Sequence, residues 1–356
     1  MHSDLQPPET YVSSDLQVKI LTSDDESRWD DFVFRHIHGS AFHLIAWQKS
    51  IEETFGHRPY YLLATRGEEI EALLPLFLVN NFILGKVLMS SPFAVYGGVL
   101  ANTDEAHEAI RQKVISLAKT LGVQYVELRN GYPEQRLGFS LIDRYVTFTR
   151  AATTDGSAIL ASLEASTRNK IRKSLKHPVE SRDAADLGPF FELLAITYRR
   201  LGTPFFPRKH FEALQRNFGK MLQIREVAVN GKVIAASLNF LFRDECHNFN
   251  SGSDLTYKAM APNNYMYFDL IQWAGQHGCR TFDFGRSKVG SGPYEFKKYW
   301  GTTIRELPYE ILLVKRKELP NFSPANSKFQ FAIKVWQKLP LWLTKVAGPY
   351  LIRFFP

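Results

Sequence analysis

One order of elements occurs twice in this chain, and it limits the possible folds more than any other feature. Two strand-like runs in "RPYYLLATRGEEIEALLPLFLV", hinged on Arg66-Gly67, read as a β-hairpin; a helical pattern ending in glycine, "EAHEAIRQKVISLAKTLG", and the strand-like "VQYVELRN" follow. In the second half "LQIREVAVNGKVIAASLNFLF" hinges on Asn230-Gly231, a strong two-residue turn signal, and leads to "NNYMYFDLIQWAGQHG" and then "CRTFDFGR". Long internal repeats mean duplicated structural units. Hairpins feeding helix-strand units predict an α/β fold with mixed sheets flanked by helices. The 356 residues suit two domains. The predicted division is a disordered lead over 1–16, a first domain over 17–150, a second over 151–320, and a basic aromatic tail over 321–356.

Positive charge is concentrated in two places. Between the repeats, over 158–177, a helix ending near Pro178 carries Arg168, Lys170, Arg172, Lys173 and Lys176 without an acid among them. Basic residues on successive turns form either a solvated face or a surface that holds phosphate. After Glu318 no acid appears, while Lys328, Lys334, Lys338, Lys345 and Arg353 alternate with Phe and Trp. That pattern suits either an interfacial membrane contact, broken into two short helices at Pro340, or a helical tail docked on the fold. The net charge of +8 agrees with anionic partners. Acids near the amino terminus and the lack of an apolar stretch there predict a cytoplasmic protein, peripheral on the inner membrane if the tail reaches lipid. Cys246 and Cys279 are read as reduced and structural.

The segment "FDFGRSKVGSGPYEFKKYW" at 282–300 has the marks of a cleft. Alternation sets Phe282 and Phe284 on one strand face and Asp283 on the other. Glycine-rich backbone follows, and then Lys297 and Lys298 among aromatics, where an ammonium can stabilise an oxyanion or bind phosphate; a strand edge with lysines outside would give the same pattern. Asp283, Glu295 or the substrate itself could take up a proton. Two further stretches, "SSPFAVYGGVL" with Tyr96 and "LGTPFFPRKHF", are cleft elements or rigid packing loops. No H-E-x-x-H, G-x-S-x-G, P-loop or dinucleotide fingerprint is present, and no metal is expected.

The motifs "RNKIRKSLK", "PFAVYGGVL", "LGTPFFP", "FDFGRSK", "FKKYWG" and "NSKFQ", in that functional context and with "FHLIAWQKSIEETFGHRPYYLLA" near the start, resemble the Fem-type acyl and aminoacyl transferases. The match is closer to the FemAB-like branch associated with exosortase/PEP-CTERM and exopolysaccharide systems. The resemblance implies two tandem GNAT-like (acyl-CoA N-acyltransferase) domains and transfer of an acyl group onto an amine of a phosphorylated or lipid-linked envelope precursor. It implies phosphate contacts from Arg168, Arg172 and Lys173, and an oxyanion role for Lys297, with Lys298 second. Asp283 joins these two as a catalytic candidate. Arg286, Ser287, Tyr294, Tyr96 and Asn239 are the other candidate substrate-binding residues, and Glu127 is a further candidate acid. The family's long helical hairpin for transfer RNA is missing here. Acyl-CoA therefore stands beside aminoacyl-tRNA as donor, transfer RNA is the less favoured partner, and no tightly held cofactor is expected. The competing class is a non-catalytic scaffold of a polysaccharide-synthesis complex at the membrane.

Overall fold

Both predicted hairpins form, each for a local reason. Asn230 and Gly231 take φ of 49° and 77°, the left-handed pair that a two-residue turn requires, and join Leu222–Val229 to Lys232–Phe242. Gly67, at φ 59°, closes the hairpin of Leu62–Arg66 and Glu69–Leu74. Pro75 has no N–H for the ladder, and beyond it the chain continues as Leu76–Asn81 in a different sheet. The computed structural model describes residues 15–81, 85–142, 144–318 and 327–356. Most of the predicted lead and the start of the predicted tail lie outside these.

The helix-strand units that follow are also built alike. Thr103 caps Asp104–Leu121, and Ile110, Val114 and Ala118 form its buried stripe at four-residue spacing. This helix carries the chain from Gly85–Ser90 to Tyr125–Leu128, and the two strands pair in parallel. In the second half Pro262–Gln276 makes the same crossover between Glu245–Ser253 and Thr281–Asp283, again parallel. Parallel neighbours need such a crossover, so the repeat in the sequence is a repeat in topology.

The sheets do not follow a cut at residue 150. Tyr145–Ala151 runs antiparallel to Thr281–Asp283 in the second sheet. Conversely, Tyr309–Leu313 returns to the first half and lies between Tyr125–Leu128 and Ser140–Ile142. Each half thus completes its parallel pair with an antiparallel strand from the other half's stretch of sequence.

The predicted linking helix is two helices, Gly156–Ser162 and Ala165–Ser174. The tail forms Ser327–Lys338 and Leu341–Ile352, separated at Pro340, and it docks. Arg199 donates to the Leu339 carbonyl at 3.3 Å, Gln337 to that of Arg200 at 2.8 Å, and Lys345 pairs with Glu192 at 2.6 Å. Thr344, Gly348 and Ile352 face inward. A Cβ on Gly348 would lie 2.7 Å from the backbone nitrogen of Phe205, too close for any side chain. Gly348→Leu should therefore unseat this helix: limited proteolysis is expected to clip the variant after residue 338 under conditions that leave the natural chain whole.

Candidate active site

A cavity of about 300 Å³ opens where the two halves meet. Phe93 and Val95 from the first half line it, together with Phe206, Asn248, Arg286 and Lys297 from the second. Phe93 holds φ at 65°, a costly conformation for a bulky residue, and its ring packs 5.4 Å from that of Phe206.

Lys297 reaches the cavity from the last turn of Gly292–Lys298, a helix capped by Ser291 at the Tyr294 N–H. It is 8% exposed, and its Nζ donates to the carbonyls of Gly285 at 2.9 Å and Arg286 at 3.1 Å. Burial pushes its pKa down to about 8, against the pull of Asp283. Gly285 allows this approach: at φ 72° it turns the chain beneath Asn248, whose carbonyl oxygen would lie 3.0 Å from a Cβ. Arg286 stacks 4.9 Å above the ring of Tyr145 and donates to the Tyr309 hydroxyl at 3.2 Å. Those two tyrosines stand on the two exchanged strands. Among the described residues neither Lys297 nor Arg286 has a carboxylate at ion-pair distance, although both border one cavity.

Asp283 does not face that cavity. It is 1% exposed and accepts from Tyr96, from Thr147 at 2.8 Å, and from the Gly285 N–H at 2.7 Å; His247 Nδ1 lies 3.1 Å away. Burial alone would raise its pKa, but His247, Tyr96 and Gly285 hold it well below the usual carboxylate range. Its oxygens accept three hydrogen bonds and it lies away from the cavity, so the structure places Asp283 in a buried tie between halves, with Tyr96 as the first half's contribution, rather than where a proton acceptor would meet the amine. Glu245, His247 and Asp283 bring three potential metal-ligand atoms within 4.8 Å of one another, a trio that spacing in the sequence does not show. Within the trio Asp283 accepts hydrogen bonds from outside it, while both ring nitrogens of His247 are buried without a hydrogen-bond partner among the described residues. Burial and the Asp283 charge push Glu245 up to about 7.

The other candidates are dispersed. Lys298 is exposed and pairs with Glu295 at 3.1 Å, which raises its pKa and occupies both residues at the surface. Glu127 pairs with Arg129 at 3.0 Å. Asn239 is fully buried behind the cavity and accepts from Asn248 at 2.8 Å, while Ser287 is buried in its strand. Tyr294 packs edge-on against Phe148 at 5.4 Å. Arg172 and Lys173 are exposed and Arg168 partly so on a helix whose inward face is Thr167, Ile171 and Ser174, and none of the three lines the cavity. Sequence reasoning missed Asn248 and Asn250, although their alternation with Phe249 in an otherwise central strand was a visible signal. Tyr198 donates to Asn250 at 2.9 Å, and Tyr267 to Asn248 at 3.1 Å.

The chain and its fold have known counterparts. Residues 162–298 match the acetyltransferase (GNAT) domain family, so the second half of the chain carries a GNAT domain. More particularly, the chain has Fem-like relatives. It is 25% identical over 136 residues to the lipid II:glycine glycyltransferase of Staphylococcus saprophyticus, covering 35% of this chain and 32% of that protein. Against the same-named protein of Staphylococcus haemolyticus it is 26% identical over 84 residues, 22% of this chain and 20% of the other. The chain thus spans a third or less of the length of these curated relatives. In structure it is similar to FemX, with a TM-score of 0.67 at 16% identity over 84% of this chain and 98% of FemX. It is also similar to the C-terminal domain of a putative lysylphosphatidylglycerol synthetase from Agrobacterium fabrum, with a TM-score of 0.53 at 10% identity, covering 88% and 96%. At these identities the structural likeness establishes the α/β GNAT-like fold.

Proposed function

We propose that this chain is a Fem-like N-acyltransferase, which joins an activated acyl or aminoacyl carbonyl to an amine on a cell-envelope or exopolysaccharide precursor. The observation that carries this reading is the pair Lys297 and Arg286: two cations at one cavity with no acid at ion-pair distance. Such a cavity favours negative charge, whether the anionic part of a substrate or the oxyanion formed when an amine attacks a carbonyl. The Lys297 ammonium, held in place by two carbonyls, needs no reorganisation to meet that charge. Attack forms the C–N bond, collapse of the tetrahedral intermediate breaks the bond to the leaving thiolate or ribose oxygen, and the amine's proton departs. Asp283 and Glu295 are both engaged elsewhere, so the amine enters neutral and the proton it loses on attack passes to the leaving thiolate or ribose oxygen.

The donor is an acyl-CoA or an aminoacyl-tRNA, and the basic helix with Arg168, Arg172 and Lys173 would meet donor or acceptor phosphate outside the cavity. Peripheral contact with an anionic membrane surface belongs to the same reading, because a lipid-linked acceptor stays at the bilayer. The test is amide formation, followed by mass spectrometry, from acetyl-CoA and from glycyl-tRNA onto a lipid-linked muropeptide. Product from either donor, lost with Arg286→Gln, is the expected result. Absence of product from both, with the natural chain folded, would overturn it. A second prediction concerns the basic helix. Arg168, Arg172 and Lys173 changed together to Gln should raise KM for the phosphate-bearing substrate about tenfold or more, with kcat little changed. Steady-state kinetics at low salt would check it.

A further inference from the structure

The second tail helix is apolar on two opposite faces, and only one of them is covered. Thr344, Gly348 and Ile352 dock on the domain at four-residue spacing. Trp342, Val346 and Tyr350, at the same spacing on the opposite side, are 66%, 59% and 70% exposed. The first tail helix adds Phe331 at 72% and Val335 at 42%. A surface helix of a water-soluble domain normally turns its polar residues outward, so this face has a partner.

Charge and position identify the partner. Lys334, Lys338 and Arg353 are exposed beside the stripe, and no acid occurs after Glu318. Outward Trp, Tyr and Phe rimmed by Lys and Arg match the interface of an anionic bilayer, where aromatic rings sit at headgroup depth and cations meet lipid phosphate. Each helix has 12 residues, about 18 Å by the α-helical rise, too short to span a hydrocarbon core of about 30 Å. No helix among the described residues is long and apolar enough to cross. These helices would therefore lie along the surface.

Next to the stripe is a groove of about 230 Å³, lined by Phe55, Pro207, Lys209, Tyr350 and Arg353. The Phe55 ring packs tilted 4.5 Å from that of Phe93, and Phe93 in turn borders the active cavity. One aromatic wall thus has the groove on one side and the reacting cavity on the other. We infer that the two tail helices dock the chain on an anionic bilayer through Phe331, Trp342, Val346 and Tyr350, with the Lys209–Arg353 groove against the lipid phosphates and the active cavity just behind it. The inference takes its lipid-bound acceptor from the proposed function, but its test requires no donor or acceptor.

The full chain is sedimented with vesicles of phosphatidylcholine alone and with vesicles containing phosphatidylglycerol. Retention on the anionic vesicles is expected, weakened by salt and reduced about tenfold or more in the Trp342→Glu/Val346→Glu variant, whose exposed substitutions leave the circular dichroism spectrum unchanged. Three results would overturn the inference: no retention of the natural chain on anionic vesicles, equal retention of the variant, or a solution dimer that the same variant reduces to monomer, which would assign the face to a second copy.

Discussion

Lys297→Met should lower the rate of acyl transfer by about 100- to 1,000-fold, the usual cost of removing one preorganised oxyanion donor, with the fold retained. Methionine fills a similar volume and adds no charge to the buried site. The pH dependence provides an independent check. The ammonium form is the one that stabilises an oxyanion, so kcat of the natural chain should decline as pH rises through about 8, where Lys297 loses its proton. Stability moves the other way. An unfolded lysine titrates near 10.4, so between about 8 and 10.4 the unfolded chain binds more protons than the folded one at this site, and the site's contribution to stability improves as pH rises. Denaturation at pH 7 and at pH 10 should show this improvement in the natural chain and not in the methionine variant. A variant that kept more than a tenth of the activity would reduce Lys297 to a clamp between the Gly285 and Arg286 carbonyls.

Asp283→Ala is expected to cost about 3–5 kcal/mol of stability, the range for breaking a buried charged network by removing one partner. It would leave the Tyr96 and Thr147 hydroxyls, the Gly285 N–H and His247 without their shared acceptor in a site closed to water. Because the carboxyl is held below its usual range, its contribution is complete above an unfolded pKa of about 3.9 and is lost as pH falls further. Chemical denaturation at pH 7 and pH 3 would therefore show a gap between natural and variant chains that narrows in acid. Loss of activity without loss of stability would be the contrary result, and would return Asp283 to the reaction.

What could be read from the sequence was what short-range chemistry determines. Asn230-Gly231 and Gly67 announced the hairpins, Gly122 ended a helix, and Pro340 divided the tail. Lys297 stood out because an ammonium among aromatics is unusual. Its neighbour Lys298 carried the same signal but lies on the helix's outer side, a difference of one residue that only the packed helix decides. Asp283 misled for a related reason. Strand alternation gives its side correctly, but not that Tyr96 and Thr147, far away in sequence, occupy that side. The exchange of Tyr145–Ala151 and Tyr309–Leu313 was equally hidden, since each is an ordinary β run whose partner depends on long-range pairing.

That exchange sets a timetable for synthesis. The sheet that holds Tyr125–Leu128 lacks an interior strand until residues 309–313 have left the ribosome, and until then Ser140–Ile142 has no neighbour to hold it. At about 5–20 residues per second, roughly 10–30 seconds separate the emergence of residue 142 from that of its partner strand. Throughout that interval the nascent amino-terminal half carries an open sheet edge, and a message truncated before residue 309 would spoil the half already made as well as the half still missing.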